Sequence, residues 1–128
     1  MTVLDASAVL ALIHDEPGAD EVAEALHGSL LCTVNLAEVV GRLVDADADV
    51  DASRLRGLLT AAGVALEPLR ADDAELAGAM RSLAGGRALS LGDRCCLAVA
   101  VRADPAEVLT ADRVWAELDL PIRVRVLR

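Results

Sequence analysis

Lysine is missing from this 128-residue sequence; all 12 of its basic residues are arginine. That excludes the P-loop enzymes, whose phosphate loop requires a Gly-Lys-Ser/Thr run. Phe and Tyr are missing too, which leaves Trp115 as the one aromatic side chain and makes a row of base-stacking rings impossible. Cysteine is scarce: Cys32, Cys95 and Cys96 are odd in number, and two are adjacent. They form neither a disulfide framework nor a zinc spacing, and they read as small buried apolar residues of a reducing cytoplasm. Charge breaks every apolar run before the roughly 18–20 residues needed to span a bilayer, so no membrane association is expected. The amino terminus turns acidic at Asp5 and has no basic leader region, so it reads as lacking a secretory signal.

What is present is apolar material and acid. Hydrophobic residues make up 55% of the chain, ample for one core, and the length suits one domain, residues 1–128. The net charge of −9 argues against a broad basic surface gripping nucleic acid. It leaves room for an enzyme that approaches phosphate through bound cations, and for a basic partner.

Apolar periodicity alternates along the chain. Short buried runs at Thr2–Leu4, Leu30–Thr33, Val64–Pro68 and Val108–Thr110, and an alternating one over Ile122–Val126, predict strands. Between them, helices are predicted over Ser7–His14, Ala19–His27, Asn35–Asp47, Asp51–Ala62, Ala71–Ala84, Ser90–Ala103 and Asp112–Leu118. Leu36, Val39, Val40, Leu43 and Val44 share one helical face, and Leu55, Leu58 and Leu59 are expected inward on the next helix. Strands alternating with helices predict an α/β fold, a mainly parallel five-stranded sheet with helices on both faces. Ligands of such sheets bind beyond the carboxyl ends of the strands.

Four acids fall at that edge: Asp5 after the first strand, Glu38 in the helix after the second, Asp93 at the start of the sixth helix, and Asp112 after the fourth strand. Each has a capping explanation. Asn35 and Glu38 fit a capping box, Ser90 and Asp93 resemble one, Asp112 fits an N-cap and Asp5 a turn. Capping does not explain why all four junctions carry an acid. Four carboxylates at one edge repel, and a divalent cation relieves the repulsion; hard oxygen ligands favour Mg²⁺ or Mn²⁺. The Asp45, Asp47, Asp49, Asp51 series is no EF-hand loop, since its sixth position is Val50 and its twelfth Arg56. It reads as a solvated loop ending in an N-cap.

The stretches carrying these acids resemble the PIN domain family, especially VapC-type toxins of VapBC toxin–antitoxin systems. Val3-Leu4-Asp5-Ala6-Ser7-Ala8-Val9 looks like the family's opening and Thr33-Val34-Asn35-Leu36-Ala37-Glu38-Val39 like its second motif. Leu89-Ser90-Leu91-Gly92-Asp93-Arg94 and Leu109-Thr110-Ala111-Asp112-Arg113 look like its third and fourth, in order over nearly the whole chain. The resemblance implies a metal-dependent ribonuclease, a hydrolase with catalytic acids Asp5, Glu38, Asp93 and Asp112. It implies Asp5 and Asp93 as direct Mg²⁺ ligands, with Glu38 and Asp112 completing the pocket through water or a second ion. Ser7, Asn35 and Thr110 would hydrogen-bond the carboxylates or bound water. A homodimer, an RNA substrate and a cognate VapB-type antitoxin are implied as well. Relatives that carry a further acid after the fourth motif differ from this chain, which has Val114 and Trp115 there. Arg94 and Arg113 adjoin two of the acids, placed either to contact flanking phosphates or to pair with neighbouring carboxylates.

Two other readings compete. Asp5 and Ser7 after a first strand are also similar to haloacid-dehalogenase phosphatases and receiver domains, which use an Asp for phosphoryl transfer and need a lysine that this chain lacks. A PIN-like fold that cuts nothing and only binds a partner is the other. Trp115 reads as packing beneath its short helix rather than as a base-stacking platform.

Overall fold

The computed structural model describes residues 1–83, 85–103 and 105–127. Five strands, β1 (Thr2–Leu4), β2 (Leu30–Cys32), β3 (Ala65–Glu67), β4 (Glu107–Thr110) and β5 (Arg123–Val126), form one sheet in the order β3-β2-β1-β4-β5, every pair parallel. The helices are α1 (Ala6–Ile13), α2 (Ala19–Ala25), α3 (Thr33–Asp45), α4 (Ala52–Ala61), α5 (Ala71–Ala79) and α6 (Leu91–Arg102). Short 3-10 turns occur at Met80–Ser82, Gly86–Ala88 and Arg113–Glu117. The α/β architecture predicted from periodicity is the one observed.

Strand alternation divides the core in two. Val3 lies opposite Leu30 and Val108, and Leu4 opposite Leu31 and Leu109. Leu4, Leu31 and Leu109 pack against Val9 of α1, Val22 of α2, Val39 of α3 and Leu59 of α4. On the other face Val3 and Val108 meet Ala77 of α5, Cys96 and Leu97 of α6, and Trp115. Each of the large side chains, fully buried, contributes about 1.5–3 kcal/mol of transfer free energy. Both sheet faces are covered, as a parallel sheet requires. All three cysteines are free and buried in this packing.

Polar groups fasten the helix ends. Asp51 caps α4 by accepting from Arg54 N at 3.0 Å. Asp73, nearly buried, accepts from Arg70 N at 2.9 Å at the start of α5. It also pairs with Arg102 Nη2 at 2.9 Å, while Arg102 Nη1 reaches Glu67 at 2.7 Å. The last turn of α6 is thereby tied to α5 and to β3.

Two expectations are corrected. Leu58 of α4 is exposed rather than inward, and Val44, at the end of the shared face of α3, is exposed as well. Leu58 precedes the buried Leu59 by one residue, a step of about 100° around the helix that turns it away from the core. The fifth helix ends at Ala79 and tightens into the 3-10 turn Met80–Ser82. The chain doubles back there: Gly86 N donates to Leu83 O at 2.9 Å, and Gly86 packs so closely on the Met80 carbonyl that a Cβ would collide with it. The end expected for that helix, Ala84, lies outside the described residues.

With β1 central, the chain leaves it toward β2 on one side and returns to β4 on the other. The carboxyl ends of β1 and β4 therefore border the switch point of the sheet, where a crevice is expected.

Candidate active site

Asp5 follows β1 directly, and its N–H extends the ladder to Leu109 O at 3.0 Å. Its carboxylate is held on both oxygens: Oδ1 accepts from Ala6 N at 2.8 Å, capping α1, and Oδ2 accepts from Ser7 Oγ at 2.6 Å and Thr110 Oγ1 at 2.9 Å. The two hydroxyls are oriented in turn, since Ser7 Oγ accepts from Ala111 N at 2.9 Å and Thr110 Oγ1 from Asp112 N at 3.0 Å. This chain of bonds joins the ends of β1 and β4 and leaves the Asp5 carboxylate little freedom.

Glu38 comes from α3, and here the capping expectation fails. The helix begins at Thr33, two residues earlier than predicted, so Asn35 lies inside its first turn. Fully buried, Asn35 donates from Nδ2 to Glu38 Oε1 at 2.8 Å and to Gly92 O at 3.1 Å. Glu38 rests directly on Gly92: a Cβ at that position would lie 2.6 Å from Glu38 Oε2 and closer still to the rest of the carboxyl group. Asn35 and Gly92 together clasp Glu38 between α3 and α6.

Asp93 closes a reciprocal capping box at the start of α6, with Ser90 N donating to Asp93 Oδ2 at 2.9 Å and Asp93 N to Ser90 Oγ at 3.2 Å. Asp112 caps the 3-10 turn Arg113–Glu117, accepting from Val114 N at 3.0 Å through Oδ1. Capping and convergence are therefore compatible, because each capping acid spends one oxygen on the backbone. Among the described residues Glu38 Oε2, Asp93 Oδ1 and Asp112 Oδ2 accept no hydrogen bond.

The four acids line one crevice of about 240 Å³, together with Ser7, Leu10, Ser90 and Arg42. A larger hollow of about 700 Å³ opens at the opposite, amino-terminal edge of the sheet, beside Met1 and Glu107; there Glu107 is paired with Arg123 and Arg125, and among the described residues no acidic cluster stands. In the crevice, burial pushes the Asp5 carboxyl from 3.8 up to about 6; the hydroxyls of Ser7 and Thr110 oppose the rise and the charge of Asp93 adds to it. Burial likewise raises Asp93, against its bonds to Ser90 and with the charge of Asp112. Asp5 and Asp93 are thus uncomfortable as bare anions.

That donor set suits a hard divalent cation. Among the described residues no three carboxylates, histidines or cysteines stand close enough to ligate an ion at once. Mg²⁺ does not require three: it typically keeps several waters and takes one or two carboxylates plus phosphate oxygens. Two desolvated carboxylates, Asp5 and Asp93, with the free oxygens of Glu38 and Asp112 nearby, fit that pattern.

The remaining site candidates fall differently. Ser7 and Thr110 bond the Asp5 carboxylate, and Asn35 bonds Glu38. Arg94 is corrected: it is buried, donates from Nη1 to Ala77 O of α5 at 2.8 Å, does not line the crevice, and among the described residues pairs with no carboxylate. Arg113 is exposed and lines a groove beside the crevice. Trp115 is in the core. Sequence reasoning missed Arg42, whose signal was its place one helical turn after Glu38, and Gly92, whose signal was only a glycine beside a site acid.

An open parallel sheet with an acidic crevice at its switch point is the architecture of an α/β domain with a ligand site at the carboxyl ends of its strands. The family model of the PIN domain matches residues 2–120. The chain belongs to the PIN domain family, whose members are generally nucleases. Among solved structures it is similar to VapBC2 from Rickettsia felis bound to a promoter DNA fragment, at 12% identity and TM-score 0.70 over 99% of this chain and 98% of that one. A DNA-bound VapBC from Salmonella typhimurium matches at 14% identity and TM-score 0.68, over 97% and 96%. A toxin–antitoxin complex from Klebsiella pneumoniae matches at 21% identity and TM-score 0.63, over 88% and 87%. No curated protein matches the chain.

Proposed function

We propose that this protein is a divalent-metal-dependent ribonuclease, the VapC-type toxin of a type II toxin–antitoxin pair. One observation carries the reading: acids from four separate segments, Asp5, Glu38, Asp93 and Asp112, line one crevice at the switch point of a PIN domain. Asp5 and Asp93 would hold Mg²⁺, or Mn²⁺ in its place, and Glu38 and Asp112 would complete the acidic pocket. The ion, when bound, lowers the pKa of a water and neutralises charge on the phosphodiester. The chain's own part is orientation. Ser7 and Thr110 fix the Asp5 carboxylate, the Ser90 box fixes Asp93, and Asn35 with Gly92 fixes Glu38. No side-chain nucleophile is needed.

The partners follow from the same features. The solved structures it resembles include VapBC and toxin–antitoxin complexes, which supports a VapB-type antitoxin as partner. A cationic antitoxin side chain entering the acidic crevice would occupy the place of the metal and silence the enzyme. Exposed Val44 and Leu58 leave apolar surface on α3 and α4 for the antitoxin or for a second copy in a homodimer. No helix of the described residues is long and apolar enough to cross a membrane, in keeping with a cytoplasmic enzyme.

The test is cleavage of mixed cellular RNA by purified protein in Mg²⁺, in Mn²⁺ and in chelator. Cleavage only with metal, abolished by Asp93→Asn in a folded protein, is the expected result. A folded wild-type protein that cuts no RNA in either metal, while still binding a partner, would point to a catalytically silent interaction module instead.

A further inference from the structure

The acidic crevice does not end at its four carboxylates. Ser7, Leu10 and Arg42 line both the crevice and an adjoining groove of about 410 Å³, so the two hollows share a wall and a chain lying in one continues into the other. Arg113 stands on the groove, and Pro17 and Leu127 are among its apolar lining. Pro17 is presented there by the turn at Gly18, whose φ of +97° and close approach to Leu127 admit no side chain.

Resting on the nuclease reading above, we propose that this groove is a phosphate-backbone subsite, in which Arg42 and Arg113 hold single-stranded RNA on one side of the bond to be cut. Among the described residues neither charge is paired. Arg70, Arg102, Arg123 and Arg125 are paired with Glu67, Asp73 or Glu107, whereas Arg42 and Arg113 have no carboxylate within 4.0 Å among the described residues. In a chain of net charge −9, two guanidiniums that pair with no described carboxylate and stand beside four acids mark where polyanion can be held once a cation covers the acids. One carboxylate, Glu16, shares the groove and limits how much negative charge it takes.

The chemistry of the groove selects the ligand. Guanidinium forks bind phosphate oxygens in paired hydrogen bonds. The apolar wall accepts a sugar or base face without reading its edge. Trp115 is buried, so no aromatic platform is on offer, and binding leans on the backbone rather than on base identity. The volume is that of a small-ligand site rather than the width of a duplex, which favours an unpaired strand.

Phosphate contacts carry a signature that a structural role would not: each one lost flattens the dependence of log affinity on log salt by about 0.7 for a single strand. The experiment measures cleavage of a labelled single-stranded RNA dodecamer by the full chain in Mg²⁺ over a series of NaCl concentrations, giving kcat and KM for wild type, Arg42→Gln, Arg113→Gln and the double variant. Arg54→Gln, on α4 away from the groove, is the control. The expected result is a KM raised on the order of tenfold for each groove variant and a salt slope reduced by about 0.7 each, with the control unchanged. Wild-type cleavage with the same salt slope in both groove variants overturns the subsite and leaves the nuclease reading standing. A folded wild-type protein that neither binds nor cuts the dodecamer overturns both.

Discussion

Removing the charge of Asp5 should stabilise the metal-free protein while abolishing its activity. The fold holds this carboxylate 3% exposed, and burial moves its pKa from 3.8 to about 6. A rise of about two units corresponds to about 3 kcal/mol of destabilisation at neutral pH, since each unit is worth about 1.4 kcal/mol. Because the folded pKa is the higher one, the native state binds the proton more tightly. The stabilisation this gives is complete below 3.8 and is lost as pH rises through about 6. Asp5→Asn carries no charge to desolvate. Its amide oxygen can still cap Ala6, and its NH₂ can donate to Ser7 and Thr110, whose hydroxyls can turn to accept. Allowing for weaker capping, a net gain of about 1–3 kcal/mol at pH 7 is expected, several degrees in Tm for a domain of this size. Thermal melts of both proteins from pH 4 to pH 7, with and without Mg²⁺, read it out. The advantage of the variant should shrink toward zero as pH falls from 6 to 4. Mg²⁺ should raise the Tm of wild type and leave the variant unmoved. A variant less stable than wild type at pH 7, or a difference independent of pH, would refute the electrostatic account.

Two further substitutions probe the supports of the site. Gly92→Ala places a methyl where the Glu38 carboxylate rests and should lower kcat on the order of tenfold or more with little change in Tm, checked by steady-state kinetics beside a melt. Arg102→Ala leaves the nearly buried Asp73 without its cation and should destabilise by about 2–3 kcal/mol in a denaturant titration. Asp73 has the opposite sign to Asp5. Its bond to Arg102 holds its pKa below 3.8, so its contribution is present above that value and fades as pH falls through the folded pKa. In the wild-type protein acid below pH 4 should therefore remove stability that Arg102→Ala already lacks, and the two melting curves should converge there.

Much of this was legible in the chain because its signals agree with one another. Strand-length apolar runs alternate with helical faces, and parallel pairing then sends the acids after β1 and β4, and those at the starts of α3 and α6, to one edge. The failures have geometric causes. An acid three residues after Asn fits either a capping box or a bond within the helix, and only the true start at Thr33 decides between them. Arg94 adjoins Asp93 in sequence, but one helical step rotates it by about 100°, toward α5. Arg42, four residues beyond Glu38, keeps the same face and reaches the crevice. Leu58 reads as inward because periodicity reports an apolar arc without its width. The seat that Gly92 offers Glu38 has no local signal at all, since it depends on how closely α3 approaches α6.

Carboxylates converging from distant segments, with Asp5 buried among them, make a divalent-cation site in this account. Electron paramagnetic resonance of Mn²⁺ titrated into the purified protein tests it without reference to any substrate, because free and bound Mn²⁺ give different signals. Wild type should take up Mn²⁺ competitively with Mg²⁺, and Asp5→Asn combined with Asp93→Asn should leave the ion free. Equal uptake by the two folded proteins would contradict the account.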